Sequence, residues 1–254
     1  MDENRHINVT IRRDVMKIGI NRPEKKNALT QEMYDAMRLA LLEAEENSDI
    51  KVVLINGTDD AFSAGNDLKG FDNRDPEKPS PAARFLTVLH AFKKPVVAAV
   101  SGIAVGIGST LLLHCDLVYA APDTRFRMPF TDLGVIPEAG STLLLPANAG
   151  HRLAAEVLML GDFFDTRKAI EMGLVNAAVP TEDLIDYAIE KAEQLAEKPT
   201  QALSLTKQLM KRSAHQPVAE HMALEFKHFG ELLLSPESIA IRAKMKNRGK
   251  ETKK

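Results

Sequence analysis

Two short runs near the start of the chain, "INVTIRR" and "VMKIGINR", alternate apolar and polar residues and meet across Arg13 and Asp14. A period of two puts every second side chain on one face, so the pair predicts two antiparallel strands. The period then lengthens. Met33, Met37, Ala40, Leu41 and Ala44 recur at three- and four-residue spacing, one face of a helix that Thr30 is placed to cap. "KVVLING" follows as an unbroken apolar run ending at a glycine, the pattern of a buried strand. "TDDAFSAGNDLKGF" is too rich in glycine and polar residues to predict a regular element.

Residues 71–82, "FDNRDPEKPSPA", hold three prolines and few apolar side chains, and predict a mobile surface loop. A short helix, "ARFLTVLHAF", leads to the strand "KKPVVAAVSG", where Pro95 suits the first position. The motif then repeats as strand, glycine turn and helix in "SGIAVGIGSTLLLHC", followed by the strand "DLVYAA". From about residue 181 the chain reads as nearly continuous helix. Leu184, Ala188, Ala192 and Leu195 mark one face, and Pro199 separates it from three further helices, "TQALSLTKQLMKRSA", "VAEHMALEFKHFGELLL" and "ESIAIRAKMKNR". Strands alternating with helices predict an α/β class. The division is a core over 1–195 and a helical C-terminal region over 196–254.

Composition narrows the partners. Lys and Arg number 33 against 35 Asp and Glu, a net charge of -2, which argues against a general affinity for nucleic acid or anionic membrane. No run approaches the ~18 apolar residues of a membrane span. The opening "MDENRHINVTIRR" is polar and acidic, unlike a secretory signal, and the closing "ETKK" differs from a Ser-Lys-Leu peroxisomal address. With a single cysteine, Cys115, the expectation is a reducing, cytoplasmic setting. The basic ending "KNRGKETKK" reads as a frayed tail.

The candidate chemistry lies in three stretches. In "SGIAVGIGST", Gly102, Gly106 and Gly108 follow neither the dinucleotide fingerprint nor the P-loop. They serve either a tight turn with close helix packing or backbone N–H groups aimed at an anion or oxyanion. "AFSAGNDL" poses the same choice at Gly65. In "LGVIPEAGSTLLLP", Glu138 is the one charged residue, so it either faces solvent at a turn or is kept for chemistry. Ser63, Ser109 and Ser141 lie near glycines, but none sits in Gly-x-Ser-x-Gly, and no triad partners are placed beside them. His114 and Cys115 read as packed core residues. The seven His are scattered without a His-x-x-x-His pair, and no metal is predicted.

"INRPEKKNALT", "AFSAGNDLKGF", "KKPVVAAVSGIAVGIGSTLLLHCDLVYAAPDTRFRMP" and "DLGVIPEAGSTLLLP" resemble, in order and spacing, the enoyl-CoA hydratase/isomerase (crotonase) superfamily. The resemblance is close over residues 7–180 and loose beyond. It implies a crotonase-like spiral of ββα units, with a helical C-terminal region that packs into a homotrimer or dimer of trimers. It implies an acyl-CoA substrate, coenzyme A entering as part of the substrate and no other cofactor. The oxyanion hole falls on the backbone N–H groups of Asn66 and Ile107. Coenzyme A contacts fall on Ala64, Asp67 and Leu68 around the adenine, and on Lys25, Lys26 and Ala28 by the phosphates and pantetheine arm. An aromatic contact of the family falls on Lys244.

The two catalytic glutamates of the family's hydratases fall on Thr110 and Phe130. Glu138 matches the single glutamate of its Δ3,Δ2-enoyl-CoA isomerases, and an isoleucine at 107 is similar to the isomerase pattern. Ring-opening isomerases of the epoxyphenylacetyl-CoA type tend to place an aspartate nearby. The implied reaction moves a double bond from position 3 to position 2. Glu138 takes a proton beside the thioester carbonyl, two N–H donors hold the dienolate oxygen, and Glu138 returns the proton at C4. An apolar pocket would raise the carboxyl pKa and keep water from adding. The alternatives are another reaction on the same fold (weak hydration, ring opening or thioester hydrolysis) and a non-catalytic acyl-CoA-binding protein. The loop at 71–85 is expected to border the acyl chain.

Overall fold

The computed structural model describes residues 6–68 and 78–251, the side chains at 212–216 and 246–251 excepted. β1 (Ile7–Arg12) and β2 (Val15–Ile20) pair antiparallel, with Ile7 opposite Ile20. Arg13 and Asp14 both take positive φ, the two-residue turn whose twist suits a hairpin. α1 (Gln31–Glu46) starts where Thr30 Oγ1 accepts the Met33 N–H, and buries the expected face together with Tyr34. β3 (Val52–Asn56), β4 (Ala61–Ser63), α2 (Pro81–Ala91), β5 (Val96–Val100) and β6 (Ile103–Val105) follow. Then come α3 (Ile107–Thr110), β7 (Leu117–Ala120), β8 (Arg125–Arg127), α4 (Ser141–Ala149) and α5 (His151–Ala155). The chain continues through β9 (Phe164–Asp165), α6 (Thr166–Glu171), β10 (Ala177–Ala178), α7 (Leu184–Ala196), α8 (Thr200–Leu233) and α9 (Pro236–Glu251).

The strands are dealt alternately to two sheets. One has the order β1-β2-β3-β5-β7-β10 and the other β4-β6-β8-β9, so each successive pair β3/β4, β5/β6 and β7/β8 contributes one strand to each. This is the spiral of ββα turns. All pairings of the larger sheet after the first hairpin are parallel, and both its faces are covered. In β3, Val53 and Ile55 join a core with α1 and α2, while Val52 and Leu54 join another with Leu184, Ala188 and Ala192 of α7. Burial on both faces explains why "KVVLING" is continuously apolar rather than alternating.

Three sequence expectations are corrected. "AFSAGNDL" does hold a regular element: Ala61–Ser63 is a strand, parallel to β6, with Ala61 opposite Ile103. Its small residues fit because the neighbouring backbone comes very close. The first two of the three C-terminal helices are one helix, α8, which carries Pro217 inside it. A proline costs a helix one N–H donor and strains the preceding turn, but packing of the long helix on the core overrides that local signal. Lys207, 4% exposed, anchors α8 by donating to Lys94 O at 2.6 Å and Asp116 Oδ2 at 2.7 Å. The expected surface loop at 71–82 lies outside the described residues up to position 77, and Ser80 then caps α2 by accepting from Ala83 N. α9 runs to Glu251, farther than the expected frayed tail allows.

The end of β4 and the end of β6 touch through backbone. A Cβ at Gly65, where φ is +89°, would stand 2.7 Å from Val105 O, and one at Gly108 would stand 2.7 Å from Ser63 O. A separate restraint holds the segment before α4. Ala139 has φ +64°, an uncommon conformation for alanine, and its carbonyl accepts a hydrogen bond from His114 Nε2 at 2.8 Å. Next to it, Glu225 of α8 accepts from Gly140 N at 2.6 Å and from Thr142 N at 3.1 Å, capping α4 from outside its own sequence. Burial first, then the neighbouring His90, pushes His114 down to about 3, so its ring stays neutral. The Nε2–H donates to Ala139, and Nδ1 faces His90 Nδ1 at 3.4 Å.

Gly65→Ala is expected to destabilise the fold by about 2–4 kcal/mol, because a methyl would meet backbone and the positive φ would be strained. Thermal melting at the wild-type temperature would contradict the close approach. His114 makes stability depend on pH. Its pKa is 6.5 in the unfolded chain and about 3 when folded. Between these values the unfolded state binds more protons, so this group's contribution falls as pH drops from 6.5 toward 3. His114→Gln should keep a donor for Ala139 O and lack this titration. In melts from neutral to acid pH, the wild-type advantage over the variant should shrink, and a constant difference would refute it.

Candidate active site

Asn66 sits in a parallel bridge with Leu29. The bridge uses Asn66's neighbours: Leu29 N donates to Gly65 O at 2.8 Å, and Asp67 N donates to Leu29 O at 2.9 Å. The N–H of Asn66 itself therefore points away from Leu29. Ile107 is the first residue of α3, where an N–H has no acceptor within its own helix. Because Gly65 packs on Val105 and Gly108 on Ser63, the two peptides belong to loops in direct contact. Both loops are pinned from behind: Gly106 N donates to Arg127 O at 2.8 Å, and Ala64 N donates to Lys26 O at 2.9 Å.

Asn66 and Ile107 line one cavity of about 540 Å³. Ala64, Gly65 and Leu68 line it beside them. Phe130, Leu133 and Val135 form an apolar wall, Phe229 and Leu233 come from α8, and Arg242 and Lys244 come from α9. Phe130 is 4% exposed and Thr110 is fully buried, its hydroxyl 3.4 Å from Gly106 O. Neither position offers a carboxylate.

Glu138 is 4% exposed, which answers the choice the sequence left open: it does not face solvent. It does not line this cavity. Its charge acts on Tyr34, whose phenol donates to Asn66 Oδ1 at 2.7 Å. Burial, and after it the Glu138 charge, holds the Tyr34 hydroxyl well above its usual pKa. Tyr34 is thus bonded to the Asn66 loop and feels the charge of the buried carboxylate. Sequence reasoning missed it, although its spacing of three from Met37 and seven from Leu41 places it on the buried face of α1.

The remaining candidates gather on the outer side of the first loop. Lys25 and Lys26 are exposed on a turn, Ala28 is half-buried, and none of the three lines the cavity. Asp67 accepts from Arg22 Nη1 at 2.8 Å and is likewise outside the lining. The same Arg22 nitrogen donates to Ala28 O at 2.8 Å, which ties the two turns together.

Of the three serines near glycines, Ser141 has a buried hydroxyl without a hydrogen bond, and the other two are occupied. Ser63 Oγ donates to Asn27 O at 2.9 Å, and Ser109 Oγ donates to Ala104 O at 2.5 Å. Burial pushes the Cys115 thiol up to about 12, far from a reactive thiolate. Among the described residues no group of His, Cys, Asp and Glu could hold a metal ion, and no helix is long and apolar enough to cross a membrane.

A family model described as enoyl-CoA hydratase/isomerase matches residues 10–241. The chain is 35% identical over 224 residues to the 1,2-epoxyphenylacetyl-CoA isomerase of Escherichia coli K12, covering 85% of each protein. It is 34% identical to the mitochondrial enoyl-CoA hydratase of Pongo abelii, over 84% of this chain and 74% of that protein. It is 35% identical to enoyl-CoA delta isomerase 2 of Rattus norvegicus, over 83% of this chain and 56% of that one. The solved structure of Pseudomonas aeruginosa OdaA superposes with a TM-score of 0.92 at 41% identity, covering 95% of this chain and 99% of that one. The buried carboxylate, the paired loops and the alternating sheets thus lie in a chain that belongs to the enoyl-CoA hydratase/isomerase family and has the crotonase fold.

Proposed function

We propose that the protein is an acyl-CoA isomerase that moves a double bond from position 3 to position 2 of an enoyl thioester, with Glu138 as the acid and base. The observation that carries this reading is one buried carboxylate, Glu138, whose charge reaches the Tyr34 phenol hydrogen-bonded to oxyanion residue Asn66. The thioester carbonyl would sit against the N–H groups of Asn66 and Ile107. Removal of an α-proton leaves a dienolate with charge on that oxygen, and two preorganised donors hold it. The same carboxyl then delivers the proton at C4.

The restraints on the Glu138 segment support the reading. His114 holds the Ala139 carbonyl and Glu225 holds the Gly140 N–H, so both polar groups of the peptide that follows Glu138 are fixed. A base that must reach two carbons in turn gains from such fixed placement. Activating water for hydration is the work of the two positions now filled by Thr110 and Phe130, and the apolar wall at Phe130 disfavours it. In this reading Ala64 and Leu68 contact the nucleotide end with Asp67, and Lys25, Lys26 and Ala28 flank the phosphates and pantetheine. The C-terminal helices would join three copies. The similarity to the E. coli 1,2-epoxyphenylacetyl-CoA isomerase favours ring opening as the second reading on the same oxyanion site.

Glu138→Gln keeps the shape of the side chain and removes the base. Conversion of 3-hexenoyl-CoA to the conjugated 2-enoyl isomer should fall about 10²–10⁴-fold, followed by the absorbance of the conjugated thioester. An unchanged rate would refute the mechanism. Rapid formation of 3-hydroxyacyl-CoA by the wild type would identify a hydratase instead, and coenzyme A binding with no turnover would identify a binding protein.

A further inference from the structure

Arg242 is 7% exposed and lines the same cavity as Asn66 and Ile107. A guanidinium carries five N–H donors and stays charged at any physiological pH. Its hydrogen bond is from Nη1 to Ser238 Oγ, at 2.6 Å, and that hydroxyl in turn donates to Leu133 O at 2.8 Å. The cavity's acid among the described residues, Asp132, is paired elsewhere, with Arg127 Nη2 at 2.8 Å. The other buried cation among the described residues, Lys207, has Asp116 at 2.7 Å, and the half-buried Arg22 has Asp67 at 2.8 Å. Arg242 forms no ion pair among the described residues. A buried charge without a counter-charge is costly, and an anionic ligand would remove that cost.

We propose that Arg242 receives a carboxylate carried at the far end of the acyl chain, so that the preferred substrates are mono-coenzyme A thioesters of dicarboxylic acids. The proposal rests on the acyl-CoA reading of the cavity and adds the substrate class. Coenzyme A also carries anions, its phosphates, but these are strongly hydrated and suit an exposed cation. Lys244 lines the cavity too and is exposed, so it answers that need. Arg242, two residues earlier on α9, is buried and meets the cavity from its wall, which suits a less hydrated anion. A planar guanidinium also matches a carboxylate through two parallel hydrogen bonds. For a simple fatty acyl chain, a buried guanidinium would be an unfavourable lining.

Binding of saturated thioesters tests this without relying on turnover. Calorimetry would compare adipyl-CoA with hexanoyl-CoA, suberyl-CoA with octanoyl-CoA, and free coenzyme A, on wild type, Arg242→Met and Arg242→Lys. The expected result is that the wild type binds at least one dicarboxylic thioester at least about tenfold tighter than its monocarboxylic partner. In Arg242→Met that preference should disappear, with free coenzyme A affinity unchanged, and Arg242→Lys should retain part of it. A wild type without preference at either length overturns the proposal, whether or not the variants fold. So does an equal loss for all ligands in Arg242→Met, which would assign the residue to the phosphates. Should 3-hexenoyl-CoA not be isomerised while the dicarboxylic preference stands, the isomerase reading fails and this one survives.

Discussion

The loops that leave β4 and β6 come closer than side chains normally permit, and the proposed grip of two peptide N–H groups on one oxygen depends on that approach. Dealing strands alternately to two sheets sets β4 and β6 side by side, so the loops leaving them emerge together. At Gly65 and Gly108 a hydrogen stands where a methyl would collide with the facing carbonyl. The donors are then oriented by secondary structure. The bridge to Leu29 turns the Asn66 N–H outward, and a helix start leaves the Ile107 N–H without an internal acceptor. In the proposed site backbone alone would donate, so isoleucine at 107 would serve as well as a smaller residue, and its side chain packs in the core.

Around that fixed point the protein manages charge by burial. His114 is held neutral so that it can donate to a carbonyl, and Glu225 is buried where a helix start supplies N–H partners. Burial raises the Glu225 carboxyl, opposed by the hydrogen bonds from Thr142 and Gly140. The apolar wall at Phe130, Leu133 and Val135 borders the cavity, and a low local dielectric strengthens electrostatic contacts beside it. Arg242 interrupts that wall with a cation, and a substrate anion would complete the set.

Elements with a sustained period were legible in the sequence. The first hairpin, the buried face of α1 and the α7 stripe from Leu184 to Ala192 follow from spacing alone. What escaped depends on contacts far apart in sequence. Ala61–Ser63 becomes a strand because β6 lies beside it, and Pro217 stays inside a helix because the rest of α8 packs. Tyr34 carried the right spacing, but its partners Asn66 and Glu138 lie on other elements. The stretch from 121 to 180, with β8, β9 and helices α4 to α6, has short elements whose periods are too brief to read. Positions of chemical interest were found chiefly by family resemblance, since a lone glutamate in an apolar run has no period at all.

The Ala139–Gly140 peptide that follows Glu138 is held at its carbonyl by His114 and at its N–H by Glu225, whose positions in the chain lie far apart. His114 is in place once the middle of the chain has folded; Glu225 is available only after α8 has been synthesised and has docked. Half of the restraint on the carboxylate therefore arrives last. A ribosome-bound fragment ending before that helix could pair its early strands and bring the glycine loops together, yet would lack the second brace.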